Sequence, residues 1–581
     1  MTSGGLEEDT MKKTRSGLLA VVGAGSLLLA ACGGGNTGDE ESGDEKAAPT
    51  ITHVYEQEFS SYNGNTASDN AAKNNIVLNR VLTGFWYFNE KGEVEPNKDF
   101  GSYEKTSDDP LTVEHTINED AVWSDETPID CDDVLLMWAA LGGKYGFSSA
   151  GTDGIEDVKV PDCEAGDKEF TFEYSKPFAD WEAQTPGQFL PAHVIAEQAG
   201  LSEEEFITAI KEGDADALKK GVDFYNTGWV MANKKLLPEK QIPSSGPYKL
   251  TEWQSGQSIT LEANDNYWGE APKTERIVIR FIPQEEQAQA LENREIQLAE
   301  PQPTPDLVNQ FDQLSGVNVE VGDAYFYDHL DFNFESSKFS DPQLREAFAR
   351  CVPIEKINTD LIKPMKKDAE PLTVRNVMPF QQNYENVTGD WGAKYLEADV
   401  QGAKQLLSDS GEDGMTVRLG YQTPNERRQQ AAELVKESCD KAGFDVKIQG
   451  AADFFDSGGA LAENQYDVAL FGWTGSSLVS GWASTYQTPD KCTAEAKGNN
   501  NGCYSSKKVD SLIQKLNVEP DLDQQDVLIK QIEAELWKDL ATIPLYMNPS
   551  LTAWDQTIQN VAPNMSQASV TWNMDQWQLE R

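Results

Sequence analysis

Apolar and polar positions alternate with two different periods along this chain. Short stretches with a period of two predict strands in the first part, at residues 51–60, 111–117 and 168–175. In the second half, helical stretches such as residues 427–443 follow strand-like stretches such as residues 415–422. Helices that alternate with strands build βαβ units. We therefore predict an α/β protein whose second half contains a mostly parallel sheet.

Some boundaries can be predicted from the local chemistry. We expect an early helix over Ala67–Leu82 and a hairpin around residues 90–92, where a glycine allows the turn. Asp130 is the candidate N-cap of a helix that ends at Gly142 and Gly143. These signals place a β-rich section and a helix early in the chain.

The first residues have the layout of a secretory signal. A short positive region precedes an apolar run over residues 18–31, which is too short to span a bilayer permanently. The run ends in the tetrapeptide LAAC at residues 29–32, which resembles the lipobox of bacterial lipoproteins. The resemblance implies a signal peptide that is cleaved before Cys32 and a cysteine thiol that is diacylated. An ordinary signal peptide with an incidental cysteine is the alternative, and either Met1 or Met11 starts the chain.

The residues after the signal peptide of residues 1–31 predict a flexible acidic tether. Residues 32–49 are rich in glycine and acidic residues and contain hardly any apolar residue, so they cannot bury enough surface to fold. Two or more acyl chains on Cys32 would anchor the protein stably at the extracellular face of the cytoplasmic membrane. No later stretch is long and apolar enough to cross a bilayer. We expect a soluble body on a lipid anchor.

The formal net charge of −49 belongs to the mature part, because the charges of the leader cancel. A surface this acidic repels nucleic acid and anionic lipid. It favours either solubility in salty media or the attraction of cationic ligands, and solubility is the simpler interpretation. Nucleic acid is therefore excluded as a partner.

The chain has seven cysteines, of which six remain after Cys32 is set aside. An even number in an exported protein predicts disulfides, although spacing leaves about fifteen connectivities open. The pairing that we favour is Cys131–Cys163, Cys351–Cys439 and Cys492–Cys503. None of the spacings resembles a zinc site, and four scattered histidines make a metal cluster an unfavourable interpretation. We expect no metal and no cofactor.

Sequence motifs of common catalytic sites are absent. The chain contains no G-x-S-x-G elbow, no P-loop, no dinucleotide fingerprint and no H-E-x-x-H motif. Pairs of carboxylates carry no information in so acidic a chain. We expect no catalytic residues and no enzyme activity; an envelope hydrolase is the least favoured alternative.

Six sequence elements follow one another in a fixed order along the chain. The most specific element is SSGPYKLTEW at residues 244–253, followed by NDNYWGEAPKTERIVIRFI at residues 264–282. The other elements are ETPIDCDDVLLMW at 126–138, FLPAHV at 189–194, DPQLREAFARCVPIEKI at 341–357, YDVALFGW at 466–473 and ATIPLY at 541–546. Together they resemble solute-binding proteins of the oligopeptide, dipeptide and nickel class, family 5 of the ABC importers, of actinobacterial type.

The resemblance implies the class II periplasmic-binding-protein fold, in which two lobes enclose a ligand in a cleft and close around it by a hinge motion. We expect the hinges near Asp328–Phe334 and near Leu545–Asn548. The implied domains are a core of lobe one over residues 50–80, 235–329 and 546–581, a β-rich insertion in lobe one over residues 81–234, and lobe two over residues 330–545.

The ligand residues that we expect in the cleft lie on strand ends and loops of both lobes. They are Tyr55, Glu56, Phe59, Tyr248, Tyr421, Gln422, Trp473, Ser476 and Trp482. Aromatic rings offer flat apolar faces that hold varied ligands, but Tyr248 and Trp473 equally suit a packing role. Ser476 stands where peptide-binding members of the family have an aspartate for the peptide amine. A neutral hydroxyl cannot neutralise a buried ammonium group.

These observations predict the substrate-binding lipoprotein of an ABC importer. It would act as a monomer, capture a peptide or similar small solute and deliver it to a membrane permease. The substitution at Ser476 keeps an alternative open, namely a lipoprotein of the same fold that regulates cell-envelope assembly of the mannolipid type without transport.

Overall fold

The computed structural model describes residues 49–580 except for four short gaps, at residues 185–186, 232–234, 456–457 and 494–497. The predicted signal peptide, Cys32 and nearly all of the predicted tether lie outside the described residues. Within the described part of the chain, no helix has both the length and the apolar character that a membrane span requires. The chain is an α/β protein, which confirms the predicted fold class.

The described region contains both strands and α-helices throughout its length. The strands are β1 (Thr50–Tyr55), β2 (Trp86–Phe88), β3 (Val94–Pro96), β4 (Gly101–Asp108), β5 (Leu111–Ile117), β6 (Glu169–Glu173), β7 (Tyr248–Gln254), β8 (Ser258–Ala263), β9 (Arg276–Phe281), β10 (Leu298–Ala299), β11 (Val317–Gly322), β12 (Phe326–Phe332), β13 (Thr416–Gln422), β14 (Asp445–Ala451), β15 (Val468–Thr474), β16 (Thr542–Met547), β17 (Ser550–Asp555), β18 (Ile558–Gln559) and β19 (Gln578–Leu579). The α-helices are α1 (Ala72–Leu78), α2 (Cys131–Leu141), α3 (Ala192–Ala199), α4 (Glu203–Glu212), α5 (Ala215–Thr227), α6 (Gln284–Glu292), α7 (Pro305–Asp312), α8 (Pro342–Cys351), α9 (Ile354–Ile357), α10 (Tyr384–Val387), α11 (Val400–Asp409), α12 (Glu426–Lys441), α13 (Gly481–Tyr486), α14 (Lys507–Leu516) and α15 (Leu522–Asp539).

The larger sheet has seven strands in the order β11-β17-β10-β1-β9-β8-β7. β1 runs parallel to both of its neighbours, whereas the other pairs of this sheet are antiparallel. Ile51, His53 and Val54 of β1 are fully buried, as expected for a central strand that is covered on both faces. The sheet, the insertion described next and the C-terminal segment form what we call the first lobe.

The insertion between α1 and β7 contains β2 to β6 and α2 to α5. β4, β5 and β6 form a three-stranded antiparallel sheet, and β2 pairs with β3 as the predicted hairpin. Asp130 is the N-cap of α2, as predicted, and completes a capping box with Asp133. The apolar side chains of the insertion share one continuous core with β1, β8 and β9.

Helix α1 is shorter than the predicted Ala67–Leu82. The Thr66 hydroxyl donates to the Asp69 carboxylate at 2.9 Å and accepts from the Asp69 N–H at 3.1 Å. This side-chain bonding forms a turn that competes with helical bonding. The helix therefore begins only at Ala72. It ends at Leu78, four residues before the predicted end.

The smaller sheet has five strands in the order β14-β13-β15-β12-β16. The prediction of a mostly parallel sheet in this half holds for the direction of four strands, β14, β13, β15 and β16. β12 is reversed and pairs antiparallel with β15 and β16. The chain enters this half through β12 and leaves it through β16. Their directions follow from the connections to the larger sheet, without an intervening βα crossover. This sheet and α8 to α15 form what we call the second lobe.

Two short segments, residues 323–325 and residues 548–549, connect the lobes, and we call them the crossings. The first links β11 to β12, and the second links β16 to β17. The crossings run side by side, because β11 pairs with β17 and β12 pairs with β16. The hinge expected at Asp328–Phe334 lies too far along the chain, since residues 328–332 continue as a buried strand. Of the hinge expected at Leu545–Asn548, only Asn548 lies in a crossing, because residues 545–547 belong to β16.

Three disulfides form, between Cys131 and Cys163, between Cys351 and Cys439, and between Cys492 and Cys503. This is the pairing that the sequence favoured. The first closes the insertion around the start of α2, and the second ties the end of α8 to α12.

Candidate ligand-binding site

A cavity of about 190 Å³ lies where the two lobes meet, and we call it the interlobe cavity. Its walls come from both lobes and from both crossings. The lining includes Tyr55, Glu56 and Glu300 of the first lobe, Phe326, Arg427 and Thr474 of the second lobe, and Ala324, Asn548 and Pro549 of the crossings.

The strand order of the first lobe brings the acidic residues of this cavity together. β1 ends at Tyr55 and its parallel neighbour β10 ends at Ala299, so Glu56 and Glu300 follow adjacent strands. The carboxyl ends of parallel strands share one edge of a sheet, and ligands of open α/β sheets bind beyond that edge. The fold thus places two carboxyl groups at a position suited to ligand contact.

Both carboxyl groups have raised pKa values. Burial raises the pKa of Glu300 to about 7, against the opposing effect of hydrogen bonds from the Ser569 hydroxyl and the Val570 N–H. Burial also raises the pKa of Glu56, and the nearby Glu285 carboxylate adds to this effect. A group that donates hydrogen bonds is therefore favoured beside these carboxyls over a second anion.

Arg427 faces the same cavity from the first turn of α12. It is 4 % exposed, and its Nη1 donates to the Pro303 carbonyl at 2.8 Å. Its Nε and Nη2 have no hydrogen-bond partner among the described residues. A buried donor without a partner is costly, so the Arg427 guanidinium is a candidate for a ligand contact.

A buried polar cluster lies where the second lobe joins the crossings. Asp328 on β12 accepts from Arg428 at 2.9 and 3.1 Å, from the Tyr546 hydroxyl at 2.9 Å and from the Asn548 amide at 3.0 Å. Burial alone would raise the pKa of Asp328, but the adjacent Arg428 guanidinium holds it well below its usual range. This ion pair links α12 to both strands that lead into the crossings.

Two of the ligand residues expected from the sequence, Tyr55 and Glu56, line the interlobe cavity. Phe59 and Tyr248 lie in the core of the first lobe instead. The Tyr248 hydroxyl donates to the Thr274 carbonyl at 2.7 Å, so both its ring and its polar end are already satisfied.

The expected residues of the second lobe are not among the described residues that line the interlobe cavity. The rings of Tyr421, Trp473 and Trp482 are buried in the core of the second lobe. Trp473 packs against the imidazole of His329 with 3.8 Å between ring centroids. Gln422 is exposed at the end of β13. Packing within the second lobe therefore accounts for the three aromatic residues.

The expected residue Ser476 lies in a turn that the first lobe contacts. Its hydroxyl accepts from the Leu478 N–H at 3.2 Å. In the same turn, the Asp180 carboxylate of the insertion accepts from the N–H groups of Val479 at 3.2 Å and Ser480 at 2.7 Å. The lobes are thus joined by charge-assisted hydrogen bonds away from the crossings.

A second cavity, of about 340 Å³, lies within the first lobe, and we call it the amide cavity. Its lining includes the amide residues Asn65, Asn70, Asn75, Asn79, Asn97, Gln188 and Gln567 and the aromatic residues Trp86, Tyr87 and Trp572. Helix α1 and Gln567 line both cavities. These residues are not among the ligand residues expected from the sequence, although the density of asparagine between residues 63 and 79 is a signal for them.

Residues 95–491 match the family described as bacterial extracellular solute-binding proteins, family 5 Middle. The chain belongs to this family. The match covers more than half of the chain and confirms the resemblance inferred from the motifs.

Curated relatives of this family 5 protein include lipoproteins and peptide-binding proteins. An uncharacterized lipoprotein of Mycobacterium leprae is 29 % identical over 98 % of this chain and 99 % of the relative. The oligopeptide-binding protein OppA of Mycobacterium tuberculosis is 24 % identical over 79 % of this chain and 73 % of OppA.

Solved structures share the fold of this family 5 protein. The periplasmic EDTA-binding protein EppA superposes with a TM-score of 0.79 at 21 % identity and covers 94 % of this chain and 100 % of its own. The oligopeptide-binding protein AppA of Bacillus subtilis, in complex with a nonapeptide, superposes with a TM-score of 0.73 at 19 % identity over 92 % and 99 % of the two chains. The expectation of a two-lobed binding-protein fold is confirmed.

Proposed function

We propose that this protein is the substrate-binding lipoprotein of an ABC importer. It captures a peptide or similar small polar solute outside the cell and delivers it to a membrane permease. Acyl chains on Cys32 hold it at the extracellular face of the cytoplasmic membrane, and it binds its ligand as a monomer without altering it. The observation that carries the proposal is the interlobe cavity, which both lobes line beside two short crossings.

The geometry of this cavity supports capture by closure. A ligand there contacts Tyr55 and Glu56 of the first lobe together with Arg427 and Thr474 of the second lobe. Such a ligand binds the closed arrangement more tightly than the open one, because only the closed arrangement offers both walls. Ligand binding and lobe closure are then coupled, as delivery to a permease requires.

Thermal unfolding of the mature protein with libraries of peptides, sugars and cations tests for capture. A ligand present at about 100 times its dissociation constant stabilises the protein by about 2.7 kcal/mol. The substitution Glu56→Ala is expected to lower the affinity about tenfold, because it removes a hydrogen-bond partner of the ligand. The matched control Glu286→Ala, on the exposed first turn of α6, leaves the affinity unchanged.

Delivery is tested in cells of the source organism that lack the gene. Uptake of the ligand found in vitro is expected to fall and to return when the wild-type gene is restored. A variant with Cys32→Ser, which cannot be diacylated, is expected not to restore uptake. Normal uptake without the gene would contradict the proposed role in import.

A second candidate is a lipoprotein of the same fold that regulates cell-envelope assembly of the mannolipid type. The observation that favours it is Ser476, whose hydroxyl is engaged in its own turn and offers no negative charge for a peptide amine. For this candidate, loss of the gene changes the lipid composition of the envelope while the uptake of every library ligand stays normal.

A further inference from the structure

The amide cavity differs in charge from the rest of this acidic protein. The chain has 97 aspartate and glutamate residues and a net charge of −49, yet none of the described residues that line the amide cavity is acidic. Arg80 is the only charged residue in that described lining, and its Nε lies 2.6 Å from the Asp575 carboxylate. The arginine is therefore neutralised within the wall of the cavity.

Several amide groups in this cavity are available to a ligand. Within the described part of the chain, the side-chain amides of Asn70, Asn75, Gln188 and Gln567 make no hydrogen bond. Each amide offers both a donor NH₂ group and an acceptor oxygen. In contrast, the Asn79 amide donates to the Thr571 hydroxyl at 3.0 Å and therefore supports the wall.

Aromatic rings complete the lining of the cavity. The ring of Trp572 stacks on that of Tyr87 with 6.0 Å between centroids, and its Nε1 donates to the Ala562 carbonyl at 2.8 Å. Gly187 lies so close to Trp86 that an added Cβ would be 3.1 Å from the indole ring. The rings are thus held in place and present apolar surface beside the amides.

We propose that the amide cavity is a binding subsite for a neutral saccharide; this proposal rests on the proposed function of solute capture. Hydroxyl groups of a sugar donate and accept hydrogen bonds, as side-chain amides do, and the C–H faces of a sugar ring pack on aromatic rings. A peptide terminus would instead need a partner of opposite charge, because burial of an unpaired charge is costly. The volume of about 340 Å³ lies within the range of small-molecule sites, about 300–1,000 Å³.

The amide cavity is placed to act together with the interlobe cavity. Gln567 lines both cavities, and α1 presents Asn75 to one and Ile76 to the other. A saccharide of more than one unit that occupies the amide cavity extends past Gln567 to the interlobe cavity. The ligand class of the proposed receptor is then an oligosaccharide, held by amides at one end and enclosed between the lobes at the other.

The test is calorimetric titration of the mature protein with trehalose, maltose, maltotetraose and cellobiose, and with trialanine and tetraalanine that have free termini. At least one saccharide is expected to bind and to change the tryptophan fluorescence, since two of the four aromatic residues that line the cavity are tryptophans. Because no charge is involved, its affinity is expected to stay constant between about 50 mM and about 500 mM NaCl.

Variants locate the binding. Asn75→Ala and Gln567→Ala are each expected to weaken saccharide binding about fivefold to tenfold, since each removes one neutral hydrogen-bonding group. Gln310→Ala, a glutamine on the exposed side of α7, is the matched control and leaves the affinity unchanged. Thermal unfolding of each variant verifies that it is folded, because none of these side chains is buried in a core.

The outcomes separate this inference from the proposed function. If the peptides bind and the saccharides do not, the saccharide subsite is overturned while capture of a solute stands. If a saccharide binds but Asn75→Ala and Gln567→Ala have no effect, the assignment to the amide cavity is overturned. If neither class binds, the saccharide proposal fails, and the library screen of the preceding section decides on capture separately.

Discussion

At the scale of single residues, the pKa values of two buried carboxyl groups are shifted in opposite directions by their surroundings. Asp328 is held charged by Arg428, whereas Glu300 has only neutral donors and its pKa rises to about 7 because of burial. The first is a permanent ion pair of the fold. The second gains a proton readily in the folded state and so links the stability of the protein to pH.

The free energy of unfolding of the wild-type protein is expected to fall as the pH rises, and Glu300→Gln is expected to abolish this fall. The folded pKa of about 7 lies above the ordinary value of 4.5, so the folded state binds the proton more tightly than the unfolded state. The contribution of this group is therefore present at low pH and is lost as the pH rises through about 7. Between about pH 5 and about pH 8 it amounts to about 2.5 kcal/mol. Urea unfolding of both proteins at the two pH values measures the difference; parallel curves would contradict this prediction.

The residues of the candidate site could be predicted only where a strand end exposes them. Tyr55 and Glu56 follow a clear alternating strand, and strand ends point to ligand sites. Trp473 and Trp482 are aromatic residues of the kind that often lines a ligand cleft, but the packing of α13 against the second sheet buries them. Burial of that kind depends on the tertiary fold, which a local pattern does not contain.

At the scale of elements, the sequence predicts those whose ends carry specific chemistry. The N-cap Asp130 and the glycine pair after α2 locate that helix correctly. The reversed strand β12 of the second sheet is not predicted, because its direction and that of β16 are fixed by their connections to the other lobe. The strands that pair beside those connections, β11 with β17 and β12 with β16, lie far apart in the chain, so no local pattern reports their directions.

The ion pair between α12 and β12 is expected to be essential for stability. Arg428→Met leaves the fully buried Asp328 without its cation, at a cost of about 3–5 kcal/mol. Arg350→Met is the matched control, since Arg350 pairs with Glu346 and Asp399 at the surface and contributes under about 1 kcal/mol. Denaturant titration of both variants measures the two losses, and equal losses would show that burial of the pair is unimportant.

The disulfide between Cys351 of α8 and Cys439 of α12 is expected to stabilise the folded protein more than the disulfide between Cys492 and Cys503. Cys351 and Cys439 are 88 residues apart, so replacing both by alanine costs about 4.5 kcal/mol from loop closure. Cys492 and Cys503 are 11 residues apart, and their loss costs about 3 kcal/mol. Unfolding of the two double variants under oxidising conditions gives the comparison; the reverse order would contradict it.

At the scale of the whole molecule, the lobes are held together by the crossings and by hydrogen bonds between the lobes. These include the bond from Arg427 to the Pro303 carbonyl and the bonds from the turn at Val479 and Ser480 to Asp180. The crossings are covalent and permanent, whereas the Asp180 contact can break. Burial raises the pKa of Asp180, and the two backbone N–H groups oppose that rise. A single substitution at Asp180 therefore weakens one part of the lobe interface.

Asp180→Ala is expected to shift the unliganded protein toward open arrangements. A hydrogen bond to a charged group contributes about 1.5–3 kcal/mol, so the closed population relative to the open one falls about tenfold or more. Small-angle X-ray scattering is expected to show a larger radius of gyration for the variant. The control Asp216→Ala, on the exposed start of α5, is expected to leave the scattering unchanged. An unchanged radius for Asp180→Ala would show that the contact does not hold the lobes.

The side-by-side crossings have a consequence for how the lobes approach each other. Gly322 and Ser550 are paired on one side of the crossings, and Tyr327 and Met547 are paired on the other. Two adjacent strands of backbone bend easily about the line that runs through both, but a twist would stretch one against the other. The approach of the lobes is thereby confined to a single rotation axis. Residues inserted into only one crossing would free a second axis, and the two walls of the cavity would then meet out of register.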